Sequence, residues 1–502
     1  MLRISALCVL ACAGAVLGQS PDGRAYLLRP SKGELPSDTG LEDKTKPKIV
    51  NHPDLGEKTL SVPLAAEDSF GVGQAKVRNW ASFKTLRFDA VNGESANVVL
   101  QLNILHAASK NFGTRVVREI ALKPGKNEVV IDLRLTNVDK SKPRLDEVKR
   151  WYIAVEGGKP AKLFFSDIVL EGGAVDKTPP YVAKTDPARL DRIRAAKMPV
   201  VKKPISFLDP GAEAIDAALD TLPANNAINI LTEDWPLHPN SKNIIGAIGK
   251  DLVFRYNLDM GYIFVPTSQK RVPLARVEYA DESDKGPYPI PDEVPIEGWP
   301  VSYKGLTLPQ VQAKKEDADR HAIVIDPATH TLYEFYQLQK TAKGWEATQA
   351  SIFDLKSNKL RPDGWTSTDA AGLPIYPLVV RFDELKRGVV DHALRVTVPR
   401  SRKEYVYPAT HQAGHAADAN LPRMGERIRL KKDIDLSKFS KDAQTILRAA
   451  QRYGMLVADN GIAWAVSVAP DPRIPNMNEE FRRLRGSDFE VIAAPPGYRI
   501  PE

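Results

Sequence analysis

The 502-residue chain carries 70 Lys and Arg against 63 Asp and Glu, a formal charge of +7, with 43% hydrophobic and 26% charged residues. These are the proportions of a globular protein and exclude wholesale disorder, collagen and coiled coil. At about 150 residues per domain the length predicts two or three domains, and the 39 prolines and 32 glycines favour strands and turns over a helix bundle.

Met1-Leu2-Arg3, an apolar run over residues 4–17 and then Gly18-Gln19-Ser20 have the order of a secretory signal peptide, so residues 1–18 are expected to be removed on export to the periplasm or medium. Val9-Leu10-Ala11-Cys12 also loosely resembles a lipoprotein cleavage box, which leaves a lipid-anchored form as the rival. Both cysteines, Cys8 and Cys12, fall inside this leader. The exported protein would then have no disulfide, no thiol nucleophile and no thiolate metal site. Its charge, +6 without Arg3, is spread among interspersed acids, which argues against nucleic acid as a partner. No later run is long and apolar enough to predict a membrane span. The oligomeric state is left open.

Residues 19–52 are rich in Pro, Gly, Asp and Lys without periodicity and read as a linker. Over 53–173, short alternating runs such as Thr85–Val91, Asn97–Ile104, Val116–Leu122 and Glu128–Leu133 are separated by turns such as Lys123-Pro-Gly-Lys-Asn127, a pattern that predicts an antiparallel β-sandwich. Trp80 before a strand with Phe88-Asp-Ala-Val-Asn92, that turn, and the closing Phe164-Phe-Ser-Asp-Ile-Val-Leu170 resemble the galactose-binding-like jelly rolls that serve as carbohydrate-binding modules. The resemblance implies a polysaccharide partner, with Trp80 and Phe112 as candidate stacking platforms. Residues 174–225 read as an ordered connector with short helices near 188–196 and 212–222.

Residues 226–502 are expected to form a larger β-rich domain with few peripheral helices, so the fold class is mainly β throughout. Its strands are predicted at 251–256, 262–265, 321–326, 331–338, 350–355, 393–398, 427–430 and 463–467. Asp326-Pro-Ala-Thr-His330 is the turn of a hairpin, and one amphipathic helix runs over 441–453 with Gly454 just past its end. Val457-Ala-Asp-Asn-Gly461 reads as a turn. The long segments 280–318 and 400–425 read as functional loops.

Chemistry is expected on those loops. Asp281, Glu282 and Asp284 crowd three carboxylates into four residues, which would raise one proton affinity and supply an acid beside an ionised neighbour. These hard oxygens also suit calcium, although the spacing misses the EF-hand pattern; otherwise no cofactor is expected. His321 and His392 follow carboxylates at strand starts and suit proton shuttling. His238, Trp365, Asp369, Asp391 and His411 complete the set as substrate-binding candidates. His411-Gln-Ala-Gly-His415 lacks the Glu of a zinc protease. Residues 230–495 further resemble, through Ala280–Asp284, Gly364–Pro374, Asp391–Arg395, Pro422–Gly425 and Tyr453–Gly461, a group of secreted bacterial proteins of no settled activity. With no nucleotide loop or nucleophile elbow present, the expected function is cleavage of glycosidic bonds in a polysaccharide by carboxylate and histidine acid–base chemistry. The alternative is a non-catalytic extracellular glycan-binding or matrix protein.

Overall fold

The computed structural model describes residues 23–33, 47–64, 68–73, 75, 77–156, 160–173 and 180–501. The expected leader lies outside the described residues. The chain divides into two units, residues 1–178 and 179–502.

The smaller unit is an antiparallel sandwich. One sheet runs in the order Ala25–Leu28, Ile168–Glu171, Thr85–Asn92, Ala161–Phe165, Gly56–Leu64, Lys48–His52, with Gly125–Asp132 also pairing to Thr85–Asn92. The other runs Ser69–Val72, Val148–Val155, Val98–His106, Val116–Leu122. The two-residue period decides which side chains enter the core. In Val98–His106, Val98, Leu100, Leu102 and Ile104 are buried while Val99, Gln101 and Leu105 turn outward. The predicted turn at Lys123–Asn127 passes the chain from one sheet to the other. Asn127 Nδ2 donates to Lys123 O and Gly125 O, both at 2.8 Å, and Gly125 takes the left-handed conformation (φ 81°) that its lack of Cβ permits.

Two expectations are corrected here. The stretch read as a linker contributes the strands Ala25–Leu28 and Lys48–His52, which are too short to show a period. Trp80 is no sugar platform: it is fully buried beside Trp151 with ring centroids 6.4 Å apart, and its indole N–H donates to Val77 O at 2.8 Å.

The larger unit is built on two mixed sheets. One has the order Arg255–Leu258, Ala465–Val468, Leu394–Val398, Met455–Asn460, Arg427–Leu430, Phe489–Ile492; the other Ile205–Ser206, Tyr262–Phe264, Ala322–Asp326, Thr331–Tyr336, Gln349–Asp354. The hairpin at Asp326–His330 forms as expected, its turn held by Asp326 Oδ1 accepting from Ala328 N at 3.0 Å. The helix Lys441–Arg452 forms too, buries Ala443, Ile446, Leu447 and Ala450, and ends before Gly454 in the left-handed region. Met455–Asn460, however, is a central strand parallel to Leu394–Val398; pairing with a buried neighbour outweighs the local turn preference of Asn460-Gly461. The expected connector joins this unit, with Ile205–Ser206 pairing to Tyr262–Phe264.

One face of the second sheet, through Tyr262, Phe264, Ile323 and Ile325, shares a core with the first sheet. The other face, through Ile263, Val324 and Phe335, is covered by Tyr288, Ile290, Val294 and Ile296 from the long loop. Each such side chain contributes about 1.5–3 kcal/mol on full burial, so a segment with little regular structure is anchored along its length. That anchoring fixes Glu297, the residue after Ile296.

Candidate functional site

A cavity of about 690 Å³ opens where the loop meets the ends of Arg255–Leu258 and the 322–336 hairpin. That size suits a ligand of a few sugar rings. Asp259 and Glu297 both line it. Asp259 sits one residue past its strand, with its N–H donating to Val468 O at 3.0 Å and its carbonyl accepting from Gly298 N at 2.7 Å. This pair of backbone bonds sets the loop carrying Glu297 beside Asp259.

Glu297 is held by His321. The imidazole Nδ1 lies 2.8 Å from Glu297 Oε2 and Nε2 lies 2.8 Å from Thr368 O. Both partners are acceptors, so both ring nitrogens carry hydrogen and the ring is an imidazolium. Burial works against that charge, but Glu297 outweighs it and His321 is raised to about 9. Burial would likewise raise Glu297; the imidazolium outweighs it and holds the carboxyl below its ordinary value.

Behind Asp259 runs a second chain of contacts. Arg395 makes a two-pronged pair with Asp369, both bonds at 2.8 Å, and donates to Ser467 Oγ at 3.2 Å. Ser467 Oγ donates to Asp259 Oδ2 at 3.1 Å. Asp459 lies 3.6 Å from Arg395; burial, then Asp369, push it up to about 6. Asp259 Oδ1 has no hydrogen-bond partner although it is buried. Burial, aided by Glu297 and only partly offset by Arg395, pushes Asp259 up to about 7. The cavity therefore holds one carboxyl that keeps its proton to neutrality and one that sheds it early, the arrangement by which two acids divide acid and base roles.

The expected site residues are placed unevenly. His321 and Asp369 belong to this network, Asp369 as the buried partner of Arg395 and not as a sugar contact. The acidic triplet does not gather into an active site. Asp281 points to solvent, Glu282 Oε2 accepts from Thr366 N at 2.8 Å, and Asp284 pairs with Arg361 at 2.5 Å while accepting from Ile352 N at 2.9 Å. The backbone fans these carboxylates apart, and Glu282 and Asp284, each on its own donors, staple the loop. His392 does not share a rim with His321: it is buried against Glu384 Oε1 at 3.0 Å. Asp391 is clamped by Arg192 at 2.8 Å. His238 is half-buried, its Nδ1 accepting from Asn240 N at 3.1 Å, and burial lowers its proton affinity. His411 bonds Ala370 O at 2.8 Å, and Trp365 lies against Arg361. Among the described residues no group of three or more Asp, Glu or His is placed to hold a metal ion. No described helix is long and apolar enough to cross a membrane.

Sequence reasoning missed Asp259, Glu297, Arg395, Asp459 and Ser467 as functional groups. The signal available for two of them was a lone carboxylate flanked by apolar residues, in Leu258-Asp259-Met260 and Ile296-Glu297-Gly298. A charge in such a setting has to be explained by a partner or a role.

Glu297→Gln is expected to lower the His321 pKa from about 9 to below its ordinary 6.5, because burial, the largest influence, then outweighs the remaining pull of Asp319. Imidazole NMR titration checks this; a ring still charged at pH 8 would refute the pairing. Stability supplied by the His321 charge is full below 6.5 and is lost as pH rises through about 9, and the variant should lack that alkaline decline.

No protein-family model matches the chain, and no curated protein matches it. Among solved structures, part of this chain is similar to carbohydrate-binding modules. A family 11 module from Clostridium thermocellum, solved with a β-1,3-1,4-mixed-linked tetrasaccharide, is 14% identical with a TM-score of 0.21, covering 26% of this chain and 83% of its own. A family 30 module is 16% identical with a TM-score of 0.22, covering 30% and 82%. An agarase is 15% identical with a TM-score of 0.23; the match takes in 37% of this chain and 33% of the agarase.

Proposed function

We propose that the chain is an exported carbohydrate-active enzyme that hydrolyses glycosidic bonds of a polysaccharide in the cavity of its larger unit. The observation that carries this is the Asp259–Glu297 pair, two carboxyls on one cavity wall whose surroundings drive their proton affinities apart. Asp259 gives its proton to the glycosidic oxygen as the bond from that oxygen to the anomeric carbon breaks. Glu297, ionised and fixed by His321, faces the positive charge that develops at the anomeric carbon. A water oxygen bonds to that carbon and passes its proton to Glu297; Glu297 then releases that proton to solvent as solvent returns one to Asp259, which restores both groups. The apolar loop and the spent cations behind it hold both groups in place before substrate arrives.

Incubating the purified protein with a panel of neutral, acidic and amino polysaccharides should release new reducing ends from at least one. Their absence across the panel, with a protein that unfolds cooperatively, would dismiss the enzyme reading.

The alternative, non-catalytic glycan binding, is favoured by a patch on the smaller unit. Phe112 is 55% exposed with the Arg115 guanidinium 4.1 Å from its ring, and Arg115 also donates to the Tyr152 hydroxyl at 2.8 Å. Aromatic faces held in this way suit the C–H surfaces of sugars. Retention on insoluble polysaccharide without any released product would decide for this reading.

A further inference from the structure

Resting on the reading of the smaller unit as a glycan-binding module, we propose that this unit takes an acidic polysaccharide, one whose sugars carry carboxylate or sulfate groups. The site is the outer face of the sheet Ser69–Val72, Val148–Val155, Val98–His106, Val116–Leu122. The pleat gathers its residues. Asn103 pairs with Tyr152 on one side and Val117 on the other, and two residues on, Leu105 pairs with Arg150. Side chains two apart along a strand share a face, and Arg115, two before Val117, comes to the same end. Its Nη1 donates to the Tyr152 hydroxyl at 2.8 Å, and the Arg150 guanidinium lies 5.1 Å from the Tyr152 ring. Two guanidiniums therefore meet on one tyrosine.

Among the described residues neither arginine has an acid partner, whereas Arg87 in the same unit pairs with Glu128 at 2.6 Å and Arg144 with Asp146 at 2.9 Å. Each Nε is buried and unpartnered; the terminal nitrogens are open to solvent apart from the one bond to Tyr152. The acids nearest in the chain are committed elsewhere. Asp139 accepts from Ser141 N at 2.9 Å and Oγ at 2.5 Å, and Asp146 and Glu147 pair with Arg144 at 2.9 and 3.6 Å. Glu119, opposite Gln101, and Glu156, just past Val155, stand toward the other end of the face. Lys110 and Lys149, both exposed, add to the positive end. Two like charges held side by side without an acid repel, and a bound anion relieves that repulsion as a neutral sugar does not. Guanidinium N–H groups also match the oxygen pairs of carboxylate and sulfate. The exposed Phe112 ring, 4.1 Å from the Arg115 guanidinium, supplies an apolar platform for the sugar beside its charge. Two arginines with acids interspersed along the chain fall short of the basic stripe that nucleic acid requires.

Calorimetric titration of the full chain with an oligogalacturonate, a sulfated galactan oligosaccharide, its unsulfated twin and a single-stranded oligonucleotide tests this. At least one acidic sugar should bind about tenfold or more tighter than the unsulfated galactan, a difference of one decade in the equilibrium constant, and the arm that wins tells carboxylate from sulfate. That advantage should shrink as salt rises from about 50 to about 500 mM and should collapse in the double variant Arg115→Gln/Arg150→Gln, whose thermal midpoint is checked alongside. Arg150→Lys, which keeps the charge and loses the planar fork, should fall between the two. Equal affinity for acidic and neutral sugars overturns the proposal, as does an acidic-sugar affinity unchanged in the double variant or tighter binding of the oligonucleotide. The two readings fail separately. A neutral sugar bound as well as an acidic one, and lost in Phe112→Ala, keeps the glycan-binding module and removes the acidic ligand, whereas binding of no sugar removes both.

Discussion

Asp259→Asn is expected to reduce turnover about 10²–10⁴-fold, the usual worth of one general acid, while the chain remains folded and still binds polymer. The amide can accept the Ser467 hydroxyl bond that Asp259 Oδ2 accepts now but has no proton to give. The wild-type pH profile carries the same assignment. Activity should fall as pH climbs through about 7, where Asp259 loses its proton, and should fall on the acid side only below 4.5, since Glu297 is held under that ordinary value. In the Asn variant the alkaline limb disappears from whatever activity remains. Stability moves the other way. A carboxyl raised from 3.8 to about 7 by burial penalises the fold once pH exceeds 3.8, with the penalty growing until about 7. Removing that carboxyl should leave the thermal midpoint at pH 8 equal to or above wild type. Lost turnover with retained or increased stability separates a proton donor from a structural carboxylate; a variant keeping more than about a tenth of wild-type turnover would refute the assignment.

The fold was legible where its signals are local. Alternation in Val98–His106, the Asp326–His330 turn and the 3.6-residue stripe of Lys441–Arg452 each follow from a short window of residues. Met455–Asn460 was not, because its extended form comes from Leu394–Val398 on one side and Arg427–Leu430 on the other, partners that a window around Asn460-Gly461 does not contain. The site was obscured for a related reason. Acid density drew attention to Asp281–Asp284, but dense charge along the chain is what solvated loops and backbone acceptors supply. Asp259, Glu297 and Arg395 are single charges among apolar neighbours, and their chemistry arises only when a strand end, a covering loop and a central strand meet. His321 was legible as a proton-handling group, whereas its fixed imidazolium state depends on Glu297 and Thr368 together.

Arg395→Met should destabilise the larger unit by about 3–5 kcal/mol, the cost of breaking a buried ion pair from one side. Asp369 is fully buried, and its two 2.8 Å bonds to Arg395 satisfy one oxygen each. Methionine fills much of the volume and supplies no donor, so a desolvated carboxylate is left beside Asp459, itself already pushed up to about 6 by burial and by Asp369. Urea unfolding followed by tryptophan fluorescence measures the loss; a cost under about 1 kcal/mol would place Arg395 among exposed pairs, whose worth is that small. Pairing the change with Asp369→Leu should recover much of the stability, because replacing both charges by apolar groups removes the desolvation cost along with the attraction. The double variant then isolates the functional part of the arginine. Arg395 also opposes the rise in the Asp259 proton affinity, so without it Asp259 keeps its proton to higher pH, and the alkaline limb of activity should move above 7 even where stability has been restored. A limb that stays in place would mean that Arg395 supports the fold and leaves the acid untouched.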